Sequence, residues 1–490
     1  MLAAGRDPYC AHRHRRAGAL GQPDPAHRHH LCQVAQRQGR IQQRCGHLPM
    51  RAPAPRHIQL SRRRTTQQGM ATLVIVATLF FIMSMVAAYT NRNLIFEQRT
   101  SSNLYRSTMA FEAAEAGVEW ALSMLNSGHI DDSCEPSADN TAPTFRDRYI
   151  AIDGDTGLIT AAAADASGRG TLNATCVFDG TDWNCTCPAS GTASPDAPSG
   201  VGPFPAFRLR LSRASTTQPG LLIIEANGCT RLDNACLNFP ATSLGGEGRA
   251  MQQVLVALRS ALPAMPAAAL TVRGTLDVGA GTALGAFNTD TRTNGITILS
   301  GGAVANLTDL QLGSIGGTPG TASVADNDPV LGGLADGSRF FEVSFAAAPG
   351  VYVEQPGVRL LTECSDPCSA ATVRDAAAAN PGRILWIQGD LDFDSSGDVG
   401  SASAPVMIVA EGSVTFTSPV TVYGAIYSRA ETWESNGAGA VIGAAVAEGD
   451  FAGNATTSFQ YDRSVLSRLQ HRHGSFVRVP GGWSDFKEPL

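Results

Sequence analysis

From Met70 to Tyr89 the chain reads MATLVIVATLFFIMSMVAAY, twenty residues without a charge. As a helix this run is about 30 Å long, enough to cross the hydrocarbon core of a bilayer. Thr72, Thr78 and Ser84 can return their hydroxyls to helical carbonyls, so they need not interrupt it. The pattern then changes period rather than stopping. Residues 90–127 hold no Pro and one Gly, and Leu104, Phe111, Val118 and Leu125 recur every seven residues, with Ala114 and Leu122 between them. That spacing predicts one apolar stripe on a continued helix, with a stop at Ser127-Gly128. The lower half is expected in the membrane and the upper half against a head domain. A buried core helix rarely runs twenty residues uncharged, and a signal peptide cut after Ala87-Ala88 would not continue as helix.

Beyond residue 128 the period shortens. Residues 174–185, ATCVFDGTDWNC, carry an Asp179-Gly180 turn between strand-like flanks. PAFRLRLSRA (205–214), LLIIEANG (221–228) and MQQVLVALRSAL (251–262) follow, the last readable as strand or amphipathic helix. A small antiparallel meander covered by the helix stripe is expected over 129–262. Residues 263–490 differ in texture: short β-branched runs separated by Gly, Asn, Asp and Ser, as in RILWIQGDLDFDSSGDVGSASAPVMIVAEGSVTF. Such runs suit either irregular β-solenoid rungs or a β-sandwich. The fold class expected is α+β: a long N-terminal transmembrane and pilin-like helix over 70–128, then a β-rich head.

Composition adds direction. With 51 Gly, 27 Pro and 16% charged residues in 490, turns and short strands are favoured over long surface helices. Lys487 is the sole lysine, so arginine carries the positive charge. Residues 1–69 hold 13 Arg against two acids, a net of +11, and the remainder is net −17. An acidic head argues against nucleic acid as partner. The basic leader, ending in Arg62, Arg63 and Arg64, would hold the N-terminus in the cytoplasm. Seven of the ten His lie in this leader (His12, His14, His27, His29, His30, His47, His57), which otherwise lacks apolar periodicity. A metal-binding tract is one reading. The other is translated upstream DNA, with Met50 as the start of a shorter precursor.

QQGMATLVIVATLFF at 67–81, followed by FEQRTSSNLYRSTMAFEAAEAGVEWAL at 96–122, resembles the N-terminal region of PilX-type type IV pilus assembly proteins. The matching positions are the Gln-Gly before the apolar run, then Glu97, Asn103, Arg106, Ala110 and the series Ala113, Ala114, Glu115, Ala116, Gly117. The resemblance implies cleavage after Gly69 by a prepilin peptidase and methylation of the new N-terminus at Met70. It also implies an inner-membrane, single-pass subunit with a periplasmic head that passes to the pilus and cell surface. Its partners would then be other minor pilins and the inner-membrane assembly machinery. One departure matters. Major pilins carry a register Glu at the fifth mature position, and here that position is Val74. A carboxylate in lipid is costly unless paired, so its absence removes a docking charge and suits a filament tip. The tip pseudopilin of type II secretion departs in the same way, which keeps a minor pseudopilin open beside a minor pilin.

Eight cysteines follow the leader: Cys134, Cys176, Cys185, Cys187, Cys229, Cys236, Cys364 and Cys368. In an exported chain an even number argues for disulfides. Cys229–Cys236 and Cys364–Cys368 are natural local loops, and the other four allow three pairings. A zinc site would need CxC at 185–187 and CxxxC at 364–368 to converge. Asp390, Asp392, Asp394 and Asp398 resemble the opening of a calcium loop, but Ser403 stands where its twelfth-position Glu belongs. No GxSxG, HExxH or phosphate-loop motif occurs and only His129, His471 and His473 lie outside the leader, so no cofactor and no enzyme activity is expected. A membrane-anchored β-helical carbohydrate-active enzyme is the remaining alternative. The processing expectation is direct: N-terminal mass spectrometry of the mature chain should find methylated Met70, and a start after Ala88 would refute it.

Overall fold

The computed structural model describes residues 69–485 except 201, 243–246, 335 and 455. The leader up to residue 68, with its His tract, lies outside the described residues. The chain divides after Phe81. Of the first unit, 69–81 is described, and it is wholly helical. Helix α1 is Gly69–Leu125. Large apolar side chains stand exposed along it, from Met70 through Phe81 and on to Phe96, Leu104 and Tyr105. No membrane is needed to form such a helix, but its composition and length suffice to cross one.

Burial on α1 begins at Ala110. The covered row is Ala110, Ala113, Ala114, Val118, Ala121 and Leu125. The heptad stripe expected from sequence is therefore only half used. Val118, Leu125 and Ala114 are buried, Phe111 and Leu122 are half-buried, and Leu104 is 68% exposed. The physical reason is the extent and closeness of the partner sheet. Near its end a Cβ on Gly248 would lie 2.3 Å from the Arg106 carbonyl oxygen. Along the shared face the backbones approach so closely that small residues, not large ones, make the contact.

The covering sheet is antiparallel and six-stranded. Its order is Gly474–Ser484, Arg249–Ser260, Leu221–Cys229, Ala206–Arg213, Thr175–Phe178 and Trp183–Thr186. Residues 251–262, ambiguous in sequence, fall in a strand up to Ser260. Phe207, Leu209 and Leu211 alternate toward the helix, joined by Leu222, Ile224, Val254 and Val256 in one core with Ala114 and Val118. Complete burial of a Val or Leu side chain contributes about 1.5–3 kcal/mol each. The register places Phe207 opposite Gly228. The edge strand Gly474–Ser484 comes from the far end of the chain, within the stretch expected as a β-solenoid or β-sandwich, and joins the antiparallel sheet instead. The ValProGlyGly segment at 479–482 shifts its register between Arg478 and Trp483.

Between these parts the pairing is parallel. An 11-stranded sheet runs Gln311–Gly313, Gly285–Phe287, Ser458–Tyr461, Ala440–Ala447, Thr421–Ser428, Val406–Ala410, Ile384–Ile387 and Val358–Leu361, with three further short strands alongside. Two three-stranded parallel ladders accompany it. The chain order is broken: Leu270–Val272 pairs with Ala440–Ala447, so the early strands stack beyond the late ones. Phe393 stacks on Phe416 at 4.8 Å, and Trp433 meets Phe451 edge-on at 5.2 Å, filling the interior between ladders. Short helices Gly337–Phe345 and Pro349–Val353, unread in the sequence, bring Phe341, Phe345 and Tyr352 against Trp386 and Tyr427.

Gly228 tests this arrangement. A Cβ there would lie 2.1 Å from the Ala110 oxygen and 2.4 Å from the Ala114 nitrogen, both main-chain atoms that cannot step aside. Gly228→Ala should destabilise the detergent-solubilised chain by about 1–3 kcal/mol, the usual range for overpacking. Chemical denaturation followed by tryptophan fluorescence would read it, and an unchanged midpoint would contradict the close contact.

Candidate functional site

Two regions carry candidate function: the helix and the seam where both ends of the head close on it. On the helix, Glu97 and Asn103 are exposed, as is Glu115, while Ala110, Ala113, Ala114 and Gly117 face the sheet and Ala116 is half-buried. The AAEAG series thus has a packing explanation. A Cβ on Gly117 would meet the Phe207 ring at 2.9 Å, and Trp120 and Trp183 flank the same ring at 5.8 and 4.8 Å. Val74 lies in the uncharged part of α1 and is exposed, as is Met70.

The helix end is fastened by polar groups. The Asn126 amide donates to the Leu122 and Phe476 carbonyls at 3.0 Å each, and its oxygen accepts the Phe476 N–H at 2.8 Å. Arg146, on the short helix Phe145–Tyr149, donates to the Leu125 carbonyl and to Gly474 O at 2.8 Å, with its guanidinium 4.9 Å from the Phe476 ring centre. Burial lowers its pKa to about 10, and nearby Arg383 adds to the shift. Glu119 pairs with Arg478 across the same seam at 2.5 Å, on the exposed side where such a pair is worth little. The Asn126–Phe476 and Arg146–Gly474 ties join residues 350 and 328 positions apart, too far for a local pattern to reveal.

The cysteines form four disulfides: Cys134–Cys187, Cys176–Cys185, Cys229–Cys236 and Cys364–Cys368. The structure thus draws one pairing from the three left open by sequence. Cys185 and Cys187 each bond a different partner, so the CxC and CxxxC pairs do not converge as a zinc site would require. The bridge across 53 residues restricts the unfolded chain most, by about 4 kcal/mol on a chain-entropy basis.

The four aspartates are dispersed in use. Asp390 accepts the Ser413 N–H at 2.7 Å, and Asp392 accepts the Thr415 and Thr417 hydroxyls at 3.0 and 2.9 Å. Asp394 accepts the Ala370 N–H at 3.2 Å, and Asp398 lines a cleft elsewhere. Leu391 and Phe393 between them are buried. Among the described residues no group of three or more His, Cys, Asp or Glu is placed to hold a metal ion.

Against this geometry, residues 68–119 match the family model PilX N-terminal. The architecture around the match is a long N-terminal apolar helix, of a length and composition that could cross a membrane, leading into a β-rich head. The match covers the apolar run and the AAEAG series of the helix, so the likeness to PilX-type type IV pilus proteins is one of the N-terminal segment. Among curated proteins no match is found. Among solved structures, the competence-associated pilin ComZ from Thermus thermophilus is similar at 10% identity over 77% of this chain and 97% of that one. The TM-score is 0.19, and the fold stands on this chain's own strand order.

His473 sits at the seam between helix Arg463–Arg472 and the closing strand. Burial, with Arg146 and Arg472 nearby, lowers its pKa from 6.5 to about 4. The folded chain therefore keeps the ring neutral where the unfolded chain takes a proton. Stability attributable to this group is unaffected above pH 6.5, falls as pH drops from 6.5, and is fully lost by about pH 4. The total is about 3 kcal/mol at roughly 1.4 kcal/mol per unit. Denaturation midpoints at pH 7 and 4.5 should show a smaller pH dependence for His473→Gln than for the native chain, and equal slopes would contradict it.

Proposed function

We propose that this chain is a minor pilin acting at the tip or initiating position of a type IV pilus, presenting its head for surface contact. The observation that carries the reading is Val74. The PilX-type segment implies a filament subunit whose first mature residue is Met70, and the fifth position then lacks the carboxylate that pairs with a neighbour's N-terminus. A subunit without that charge has no specific claim on a subunit ahead of it, which suits the end of a filament. The size of the head agrees, because a large β-rich domain is better accommodated at an end than along a close-packed shaft.

The remaining assignments follow from this reading. Prepilin peptidase removes the leader after Gly69. The Arg-rich leader keeps the N-terminus cytoplasmic and the disulfide-bonded head periplasmic until assembly moves it to the cell surface. Partners are other minor pilins and the inner-membrane assembly machinery. The parallel ladders are read as an irregular β-solenoid, supported by strands that succeed one another by about one rung, Thr421↔Ala440 and then Ala440↔Ser458. The head's role is structural and adhesive rather than catalytic, supported by the dispersed use of its aspartates.

Val74 supports an end position in either a pilus or a type II secretion pseudopilus, the PilX-type segment favours the pilus, and a deletion strain separates the two. Loss of piliation and twitching with normal secretion is expected. Retained piliation with failed secretion would move the assignment to the pseudopilin. In piliated cells, immunogold labelling of the head should mark filament ends, and labelling along the shaft would contradict the tip position.

A further inference from the structure

A cleft of about 610 Å3 opens in the head where the helix Phe145–Tyr149 and strand Ile150–Ile152 face the parallel stack. Four arginines line it, Arg146, Arg374, Arg383 and Arg472, together with His473. Some arginines of the head meet carboxylates, as Arg210 with Glu225, Arg429 with Glu448 and Arg359 with Glu363. Among the described residues the four cleft arginines form no such pair. They donate instead to main-chain carbonyls: Arg374 to Ser395 at 3.1 Å, Arg383 to Pro356 at 2.8 Å and Arg472 to Ile152 at 3.1 Å. Carbonyl partners fix the orientation of a guanidinium without cancelling its charge.

Two acids lie on the cleft against four arginines, and neither forms an ion pair with them, although Asp147 acts on Arg146 from a distance. Asp147 and Asp398 are both exposed at its margin, and Asp147 already accepts the Thr144 hydroxyl at 2.8 Å. One buried donor in the lining also lacks a hydrogen-bond partner, Arg383 Nε. His473 is only 6% exposed. Burial first, then the Arg383 charge, pulls the Arg146 guanidinium down, with Asp147 opposing, while Arg383 is lowered by its own burial and by Arg359. A concentration of uncompensated positive charge is thus held in the wall of a head that is otherwise acidic. Arg side chains recognise planar carboxylates and tetrahedral phosphates by paired N–H donation. The volume suits a small ligand, and Asn380, Ser401 and Ser403 add neutral donors and acceptors for hydroxyl groups.

We propose that this cleft binds a small polyhydroxylated ligand through an oxyanion, carboxylate or phosphate, placed among Arg146, Arg374, Arg383 and Arg472. The site stands independently of where in a filament the subunit sits.

The test is calorimetric titration of the detergent-solubilised full chain with three probes: a trigalacturonate, inorganic phosphate and a neutral trigalactose. The native chain should bind trigalacturonate or phosphate, more weakly as salt is raised, and bind the neutral sugar at least tenfold less well. Binding of trigalacturonate assigns the oxyanion to an acidic sugar, and binding of phosphate alone assigns it to a phosphate. Ala151 is exposed on the cleft wall. Ala151→Glu places a carboxylate among the arginines without removing a packed side chain, and should weaken binding at least tenfold. Ser403→Asp, from the opposite wall and also exposed, should do the same, so one misfolded variant does not spare the proposal. Thermal melts of each variant report folding. No binding of either anion, equal binding of the neutral sugar, or binding indifferent to both folded variants would overturn it.

Discussion

The contact on which the head depends is the close approach of a small-residue helix face to a sheet. Ala110, Ala113, Ala114, Gly117 and Ala121 present almost no side chain, and Gly228 and Gly248 present none. Main chain meets main chain, and the larger residues Val118, Leu125 and Phe207 interlock at its margins. Packing at this distance tolerates little added volume, since interiors are filled to crystal-like density. The constraint also fixes the helix rotation, because any other face would bring Glu112, Glu115 or Glu119 against the sheet and leave a charge uncompensated.

Both ends of the head converge on that contact. The helix arrives at it first, and the final strand closes the same sheet, with Asn126 and Arg146 bridging the helix terminus to residues 472–476. The parallel stack is thereby an insertion between the fifth strand of the sheet and its last, Arg249–Ser260 and Gly474–Ser484. Such a layout lets the inserted part vary in size while the sheet packed on the helix keeps its form. It also sets His473 and Arg146 in the seam, where burial makes the ionisation of either one costly. Where like-charged arginines gather beside this seam, the fold has placed charge that its own acids do not answer.

How much of this the sequence discloses follows from the range of each interaction. The apolar run, the helix continuing to Leu125 and the Asp179-Gly180 hairpin depend on neighbours within a few residues, and all are legible. Cys229–Cys236 and Cys364–Cys368 are legible for the same reason. The heptad stripe misplaced Leu104 because periodicity gives a face but not the length of the sheet that covers it. The strand 474–484 was unreadable as part of the antiparallel sheet, since its partner lies some two hundred residues earlier and ValProGlyGly hides its alternation. The short helices around Phe341 and Tyr352 escape sequence reading because nine and five residues leave little period to detect. The arginine cleft was invisible for a related reason: Arg146, Arg374, Arg383 and Arg472 are unremarkable singly and meet only in three dimensions.

The most direct measurement is hydrogen–deuterium exchange of the full chain in lipid nanodiscs, followed across a denaturant series. If the helix is the spine of the head, amides of residues 113–125 will open with the same free energy and denaturant dependence as those of Leu222, Ile224 and Ala226. Exchange of 113–125 by independent local opening, while the sheet stays protected, would contradict the account.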